Sequence, residues 1–279
     1  MYRIDAHHHF WRYDPAEYGW IGENMRLIQR NFFPLDLKKE IDTSGINGAI
    51  SVQARQNLEE TRWLVQHAEH HDFIKGVVGW VPLSHPDLER LLPTVAGHPN
   101  LRGVRHVLQD EPDGNYMLRD DFNRGIRSLK PYHLTYDILI FERQLPQTIR
   151  FVDCHPDQVF VLDHMGKPRA KDNMLSPWRE NIMELAKRPH IYCKISGLVT
   201  EADWTRWTAE TLRPYFDSVL EAFGPQRLMF GSDWPVCLVA TTYEGWVQTV
   251  STWIAELSQK EQSRIWSGTA VEAYRLSPS

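Results

Sequence analysis

Histidine and aspartate side chains follow short apolar segments of this chain, and their spacing suits hydrolytic chemistry. The first apolar segment runs into His7, His8 and His9. Side chains alternate along a strand, so His7 and His9 would share one face while His8 points to the other. Two imidazoles on one face can ligate a single metal ion or clamp a substrate oxygen. We therefore predict that His7 and His9 act together in a functional site.

Two later apolar segments end in the polar groups that such a site would need. One runs into His164 and a Gly-Lys-Pro loop, and the other is followed by Gly231, Ser232 and Asp233. The small residues leave room beside Asp233 for a carboxylate that takes a proton from water, as a general base does. The structural alternative is an N-cap or turn aspartate, because Pro235 follows closely. The combination of segments favours catalysis.

Cationic and aromatic residues supply further candidates for substrate contact. Arg105 and His106 lie within one predicted strand and Lys194 within another. A charge inside a strand is costly to bury unless it is paired or faces solvent. Each of these residues could therefore form a structural ion pair or contact the substrate. Trp20 and Trp80 lie at strand ends or in loops, where an aromatic wall could receive a ligand, although packing is the commoner role.

The elements that must position these residues alternate along nearly the whole chain. Short β-rich runs, the first over residues 3–10 and the last over residues 227–232, are each followed by a segment of helical period. Eight such strand–helix units predict parallel pairing, closure into a barrel and an active site at the carboxyl ends of the strands. We predict an α/β fold, a (β/α)8 TIM barrel, in one domain over residues 1–279. The pattern also predicts continuous helices over residues 86–95, 204–223 and 261–274.

Composition limits the class of protein. Hydrophobic residues make up 42% and charged residues 24%, as in average globular proteins. A net charge of −5, with scattered Lys and Arg, argues against nucleic acid and anionic membranes as partners. No apolar run suggests a signal peptide or a membrane helix. Three distant cysteines fit a reducing compartment, so we expect a cytoplasmic protein with a small-molecule substrate.

The ordered motifs resemble those of the amidohydrolase superfamily (amidohydrolase 2 type), and more narrowly its sugar-lactonase branch. They are His7-x-His9 after the first strand, Asp-His-Met-Gly-Lys-Pro at residues 163–168 after the sixth, and Gly-Ser-Asp-Trp-Pro at residues 231–235 after the eighth. The resemblance extends from Ile4 to the C-terminal helix. It implies hydrolysis of an aldonolactone, such as L-fucono-, L-rhamnono- or L-galactono-lactone, in sugar catabolism.

The resemblance also bears on a metal cofactor. Two-metal members carry a carbamylated lysine at the end of strand four and a histidine on strand five, whereas this chain has Arg-His at 105–106 and Tyr-Asp at 136–137. A two-metal site is therefore not expected. Two alternatives stay open: one divalent ion such as Zn²⁺, or hydrolysis without a metal, since an ester is far easier to hydrolyse than an amide. The single-metal site would use His7, His9 and Asp233 or His164.

The resemblance implies a mechanism in which water attacks the lactone carbonyl directly. Asp233 would be the general base and would then protonate the ring oxygen. His7, His9 or Lys194 would stabilise the oxyanion, with or without zinc. The predicted substrate-binding residues are Arg105, His106, His164, Trp20 and Trp80. Two alternatives are a zinc-dependent decarboxylase of an aromatic or unsaturated acid, which would use the same His-x-His and aspartate, and a non-catalytic ligand-binding barrel.

Overall fold

The computed structural model describes residues 1–277 and contains a parallel sheet of eight strands in which neighbours in sequence are neighbours in space. The strands are β1 Ile4–His8, β2 Gly48–Val52, β3 Ile74–Gly79, β4 Leu101–Val107, β5 Thr135–Leu139, β6 Phe160–Leu162, β7 Ile191–Ile195 and β8 Leu228–Phe230. A parallel bridge between His8 and Trp234 joins the first strand to the segment after the last, so the sheet closes. The predicted (β/α)8 barrel is confirmed.

Helices lie between the strands and surround the barrel. They are α1 Pro34–Ser44, α2 Leu58–His70, α3 Leu88–Leu91, α4 Pro93–Ala96, α5 Asp120–Arg127, α6 Leu145–Asp153, α7 Trp178–Leu185, α8 Ala209–Phe223, α9 Tyr243–Ile254, α10 Gln259–Ser263 and α11 Thr269–Ala273. Within residues 1–277, none of them combines the length and apolarity that crossing a membrane would need.

Local signals account for where these helices begin and end. Helix α1 starts at Pro34, whose ring suits the first helical position, and ends at Gly45 in the left-handed conformation (φ 67°). The side chain of Asn57 caps α2 by accepting a hydrogen bond from the N–H of Glu60 at 2.7 Å. These caps satisfy backbone groups that the helices themselves leave without partners.

Three helices differ from the sequence prediction. The predicted helix over residues 86–95 is divided into α3 and α4, because Pro93 has no N–H to continue the first of them. The predicted helix over 204–223 begins only at Ala209, where the side chain of Thr208 accepts from the N–H of Thr211. A π-type turn over Arg264–Gly268 joins α10 to α11, so the predicted helix over 261–274 is continuous to Ala273 but contains one wider turn.

A bulge in β1 aims the two histidines of interest. The register between β1 and β2 shifts between Asp5 and His8. Ala6 packs inside the barrel, so strict alternation from that residue would turn His8 inwards. Instead, His8 contacts the hydroxyl of Ser51 at 3.0 Å and packs against the ring of Phe10. The bulge therefore leaves His7 and His9 facing the mouth of the barrel.

Candidate active site

Asp233 lies in a turn directly after β8 that a buried carboxylate holds in place. Its backbone is left-handed (φ 58°), and its N–H donates to the carbonyl of His7 at 2.8 Å. The side chain of Asp5 accepts from the N–H of Ser232 at 2.8 Å, from its hydroxyl at 2.6 Å and from the hydroxyl of Tyr243 at 3.0 Å. Burial raises the pKa of Asp5 to about 6, and these donors oppose that rise. Asp5 thus fixes the turn that carries Asp233.

Three imidazoles converge on the Asp233 carboxylate at the mouth of the barrel. Its Oδ1 atom lies 3.3 Å from Nε2 of His9, 3.7 Å from Nε2 of His7 and 3.9 Å from Nε2 of His164. Burial by itself raises the pKa of Asp233, but His164 and His9 outweigh it, and the net pKa is below its usual value. Asp233 is therefore ionised at neutral pH and able to accept a proton.

Hydrogen bonds on the far side of two rings fix their orientation. Nδ1 of His9 lies 2.9 Å from the carbonyl of Val52, which can only accept, so Nδ1 carries the hydrogen. Nδ1 of His164 contacts the hydroxyl of Ser196 at 2.9 Å. Burial lowers the pKa of His164 to about 4, which keeps its ring neutral. The Nε2 atoms of both rings are thereby directed at Asp233.

His7 rests on a buried network of alternating charges. Its Nδ1 lies 3.2 Å from Nζ of Lys194 and 3.3 Å from Oδ1 of Asp163, and burial lowers the pKa of His7 well below its usual value. The ammonium of Lys194 also bonds Asp137 at 2.5 Å and lies 3.0 Å from Asp163. Arg105 donates to the other oxygen of Asp163 at 3.0 Å. Each buried charge therefore has an opposite partner, as burial requires.

His164 begins a strained turn of left-handed residues. The φ angles are 52° at His164, 54° at Met165, 69° at Gly166 and 48° at Lys167. Left-handed backbone costs roughly 1–2 kcal/mol for each residue other than glycine. The turn is closed by a 2.9 Å bond from the N–H of Lys167 to the carbonyl of His164, and Trp178 donates to the carbonyl of Met165 at 2.7 Å. Strain of this kind is concentrated at functional sites.

A cavity of about 130 Å³ opens above Asp233 at the mouth of the barrel. Besides His9, His164 and Asp233, its polar lining consists of Arg105, Gln109, Asp110 and Lys167. Its apolar lining consists of Trp20, Ala54, Val107, Leu139 and Val236. The cavity therefore offers apolar surface to C–H groups and polar side chains to hydroxyl or carbonyl oxygens.

Some of the predicted residues lie away from this lining. Lys194 is fully buried beneath His7. The indole of Trp80 donates to Nδ1 of His106 at 3.3 Å, and Nε2 of His106 contacts Glu111 at 2.6 Å. Neighbouring residues of a strand point to opposite sides, so Arg105 faces the barrel interior and His106 the surrounding helices. Trp80 and His106, which were predicted to bind substrate, therefore lie outside this lining, whereas Trp20, Arg105 and His164 belong to it.

Several residues of the site were not predicted from the sequence. Gln109, Asp110 and Lys167 line the cavity, and only their positions just after predicted strands could have suggested it. The carboxylates of Asp137 and Asp163 pair with the buried cations. A signal for these two was available, because a cation inside a barrel strand needs a buried anion as partner.

The histidines and Asp233 fit a single divalent ion. Ligand atoms of His7, His164 and Asp233 lie within 4.8 Å of one another, and Nε2 of His7 lies 3.2 Å from Nε2 of His9. Nitrogen ligands about 2.0–2.1 Å from a tetrahedral zinc stand roughly 3.3 Å apart, which agrees with this pair. Imidazole and carboxylate are a donor set that zinc accepts. A second metal ion is not expected, because strand β4 carries the cation Arg105 in place of the carbamylated lysine of two-metal members. Nη1 of Arg105 lies 3.4 Å from Nε2 of His7.

Comparisons with known proteins agree on one family. A family model described as Amidohydrolase matches residues 4–276. An L-fucono-1,5-lactonase from Burkholderia multivorans is 45% identical over 98% of this chain and 96% of its own. An L-fucono-1,5-lactonase from Burkholderia ambifaria is 32% identical over 99% of this chain and 96% of its own.

Solved structures extend the likeness to three dimensions. A crystal structure of an amidohydrolase from Burkholderia multivorans with bound zinc is 43% identical, covers 99% of this chain and 100% of that one, and has a TM-score of 0.96. A 2,6-dihydroxybenzoate decarboxylase from Rhizobium, at 12% identity and a TM-score of 0.69 over 99% of each chain, shares the fold alone.

Proposed function

Because this chain belongs to the amidohydrolase family, we propose that it is a lactonase that hydrolyses a sugar aldonolactone to the aldonic acid. The substrate is L-fucono-lactone or a related L-rhamnono- or L-galactono-lactone. The proposal rests on the Asp233 carboxylate, whose Oδ1 atom lies within 3.3–3.9 Å of three imidazole nitrogens and lines the cavity at the mouth of the barrel. Residues 1–279 act as one catalytic domain, with the site at the carboxyl ends of the strands.

Asp233 moves the proton in this reaction. Its ionised carboxylate takes a proton from the water molecule that attacks the lactone carbonyl carbon. The carbon–oxygen bond of the ring then breaks, and the proton held by Asp233 passes to the ring oxygen as it leaves. The products are the hydroxyl group of the opened chain and a carboxylic acid, which ionises at neutral pH.

Groups around Asp233 stabilise the negative charge that develops on the carbonyl oxygen. The guanidinium of Arg105, which lines the cavity 3.4 Å from Nε2 of His7, places a positive charge near this point. Nε2 of His9 carries no hydrogen in the tautomer that Val52 selects, so it suits a metal ion. These positions are held by hydrogen bonds before the reaction starts, so little reorganisation is needed. Lys194 acts through His7, as a positioning residue, because its ammonium is buried on the far side of that ring.

A bound divalent ion would be held by His7 and Asp233 together with His9 or His164. Such an ion would polarise the carbonyl group as a Lewis acid. Zinc content after metal loading, measured by inductively coupled plasma mass spectrometry, tests the site directly. We expect stoichiometric zinc in the wild-type protein and loss of zinc in His9→Ala with the fold unchanged. Retained lactonase activity after exhaustive chelation would exclude an essential metal and leave the role of Asp233 intact.

The cavity lining suits a polyhydroxylated ring. The indole of Trp20 and the side chains of Val107 and Leu139 offer an apolar wall to the C–H face of the sugar. Gln109 and Asp110, on the segment after β4, offer an amide and a carboxylate to its hydroxyl groups. Specificity among aldonolactones therefore depends on the segments that follow β1, β4 and β6.

A panel of aldonolactones tests the proposed function. Acid release is followed with a pH indicator, with and without added Zn²⁺, for lactones of five- and six-membered rings. We expect rapid hydrolysis of at least one L-sugar lactone. A folded protein that releases acid from none of them would refute the proposal.

The state of the cysteines supports a cytoplasmic location. Cys193 and Cys237 are buried free thiols, and Cys154 is an exposed free thiol. Free thiols persist in a reducing compartment.

A further inference from the structure

Lys167 brings a cation to the cavity, and its hydrogen-bond donors are unused. Its side chain lines the cavity and is 16% exposed, and its Nζ lies 3.6 Å from the carboxylate of Glu201, beyond hydrogen-bond distance. The ammonium also lies over the ring of Phe141, 5.2 Å from the centroid. An ammonium carries three N–H donors. In the described part of the chain, residues 1–277, none of these donors has an acceptor within hydrogen-bond distance.

The other cations of the site are already engaged. Arg105 donates through its two Nη atoms to Asp163 and to the backbone carbonyl and side chain of Gln53, and its remaining donor, Nε, is buried away from the opening. Lys194 is fully buried and shared between two carboxylates. Among the described residues that line the cavity, Lys167 is therefore the cation whose donors are available to an entering molecule.

The left-handed turn over residues 164–167 explains why Lys167 and His164 face the same cavity. The turn is closed by a bond between residues three apart, and side chains three apart in such a turn lie on the same side. The side chain of His164 is 4% exposed, compared with 16% for Lys167. Lys167 thus lies nearer the opening, whereas Asp233 and His164 form the floor where the carbonyl reacts. A substrate would present its part remote from the carbonyl to Lys167.

We propose that Lys167 is a further substrate-binding residue whose ammonium donates hydrogen bonds to a hydroxyl group of the sugar, an inference that rests on the proposed lactonase function. The remote part of an aldonolactone carries hydroxyl groups, which accept hydrogen bonds from an ammonium. A site built to bond a hydroxyl discriminates strongly against analogues that lack it. Lys167 therefore selects among lactones by the position of that hydroxyl.

Glu201 is the positioning residue for this contact. It lies in the segment after β7, and its backbone carbonyl accepts from the N–H of Lys171 at 2.9 Å, which ties that segment to the one bearing Lys167. Burial raises the pKa of Glu201, and the charge of Lys167 opposes this rise. The charge of Glu201 thus attracts the ammonium of Lys167 across 3.6 Å, a distance at which the N–H groups of Lys167 can still donate to a ligand.

Deoxy substrates provide the test. The lactone that the wild-type protein hydrolyses best is compared with derivatives in which one hydroxyl at a time is replaced by hydrogen. A hydrogen bond to a charged group corresponds to about a 10- to 150-fold effect, so Lys167→Met should lower kcat/KM for the parent lactone by that factor. For the one derivative that lacks the contacted hydroxyl, wild type and variant should agree within about twofold.

Matched variants separate this contact from a general charge effect. Lys171→Met removes an exposed lysine from the same segment and should leave kcat/KM unchanged within about twofold. Glu201→Gln should weaken the parent reaction in the wild-type background and have no further effect in Lys167→Met. Lys167→Gln serves as a second variant if the methionine substitution impairs folding, as judged by circular dichroism.

The outcomes are distinguishable. A loss in Lys167→Met that is equal for every lactone, including each deoxy derivative, would place the ammonium at the reacting ester and overturn the proposal. A loss below twofold on the parent lactone would overturn it as well. A wild-type protein that hydrolyses no aldonolactone would instead refute the proposed function, and the inference would fall with it.

Discussion

The backbone of Gly197 lies directly against the His164 ring. Substitution of Gly197 by alanine therefore tests whether activity depends on the position of that imidazole. Gly197 follows β7 with a left-handed backbone (φ 57°), and a Cβ atom there would lie 2.5 Å from Nδ1 and 2.6 Å from Cγ of His164. Non-bonded heavy atoms prefer about 3.5 Å, so the ring must move by about 1 Å. That movement breaks its 2.9 Å contact with Ser196 and changes its distance to Asp233.

The magnitude of the Gly197→Ala effect has two separable parts. A left-handed alanine lowers the free energy of unfolding by roughly 1–2 kcal/mol, and a displacement of about 1 Å in the site reduces kcat/KM by about 10²-fold. Gly45→Ala is the matched control, because Gly45 is also left-handed (φ 67°) but a Cβ there meets nothing within 4 Å.

Urea unfolding and lactone kinetics on both variants supply the assay. We expect both variants to lose stability, Gly197→Ala more than Gly45→Ala because of the overlap with the His164 ring, and we expect a loss of activity in Gly197→Ala alone. Equal kcat/KM values in the two would refute the reasoning, since they would show that the position of His164 does not matter.

Two further predictions concern buried charge. Burial raises the pKa of Glu60 to about 7 from the ordinary 4.5, so the folded state holds this proton more tightly than the unfolded state does. The free energy of unfolding should therefore fall as the pH rises from about 4.5 to about 7. In urea unfolding at several pH values, Glu60→Gln should flatten that fall, and an unchanged pH dependence would contradict the raised pKa. Lys194→Met leaves Asp137 and Asp163 without their shared partner and should lower the free energy of unfolding by about 3–5 kcal/mol. Removing the exposed Lys38 beside Asp42 should change it by less than about 1 kcal/mol, and equal losses would exclude the buried network as a stabilising feature.

The barrel was predictable because its signal is distributed over the whole chain. Each strand is a short apolar run followed by a helical period, and this alternation survives errors at individual boundaries. Closure of the sheet then brings residues at strand ends together, so residues as distant in sequence as His7, His164 and Asp233 meet within a few ångströms. The order and closure of the strands, rather than any local sequence pattern, therefore predict that these residues are neighbours.

Other features depended on contacts that sequence does not display. The bulge in β1 decides which histidines face the mouth, and it depends on pairing with β2. His106 was expected at the substrate, but it lies on the outward side of β4 against Trp80 and Glu111. The turn that brings Lys167 to the cavity uses left-handed backbone at residues other than glycine, which local preference disfavours and tertiary contacts impose.

If Asp233 is the general base, its replacement by asparagine should remove most of the lactonase activity. Asparagine keeps the shape of the side chain but cannot accept the proton of water. With folding confirmed by circular dichroism and zinc content measured in both proteins, we expect kcat/KM on the preferred aldonolactone to fall by at least about 10²- to 10⁴-fold. Turnover near the wild-type value in a folded Asp233→Asn protein would contradict it.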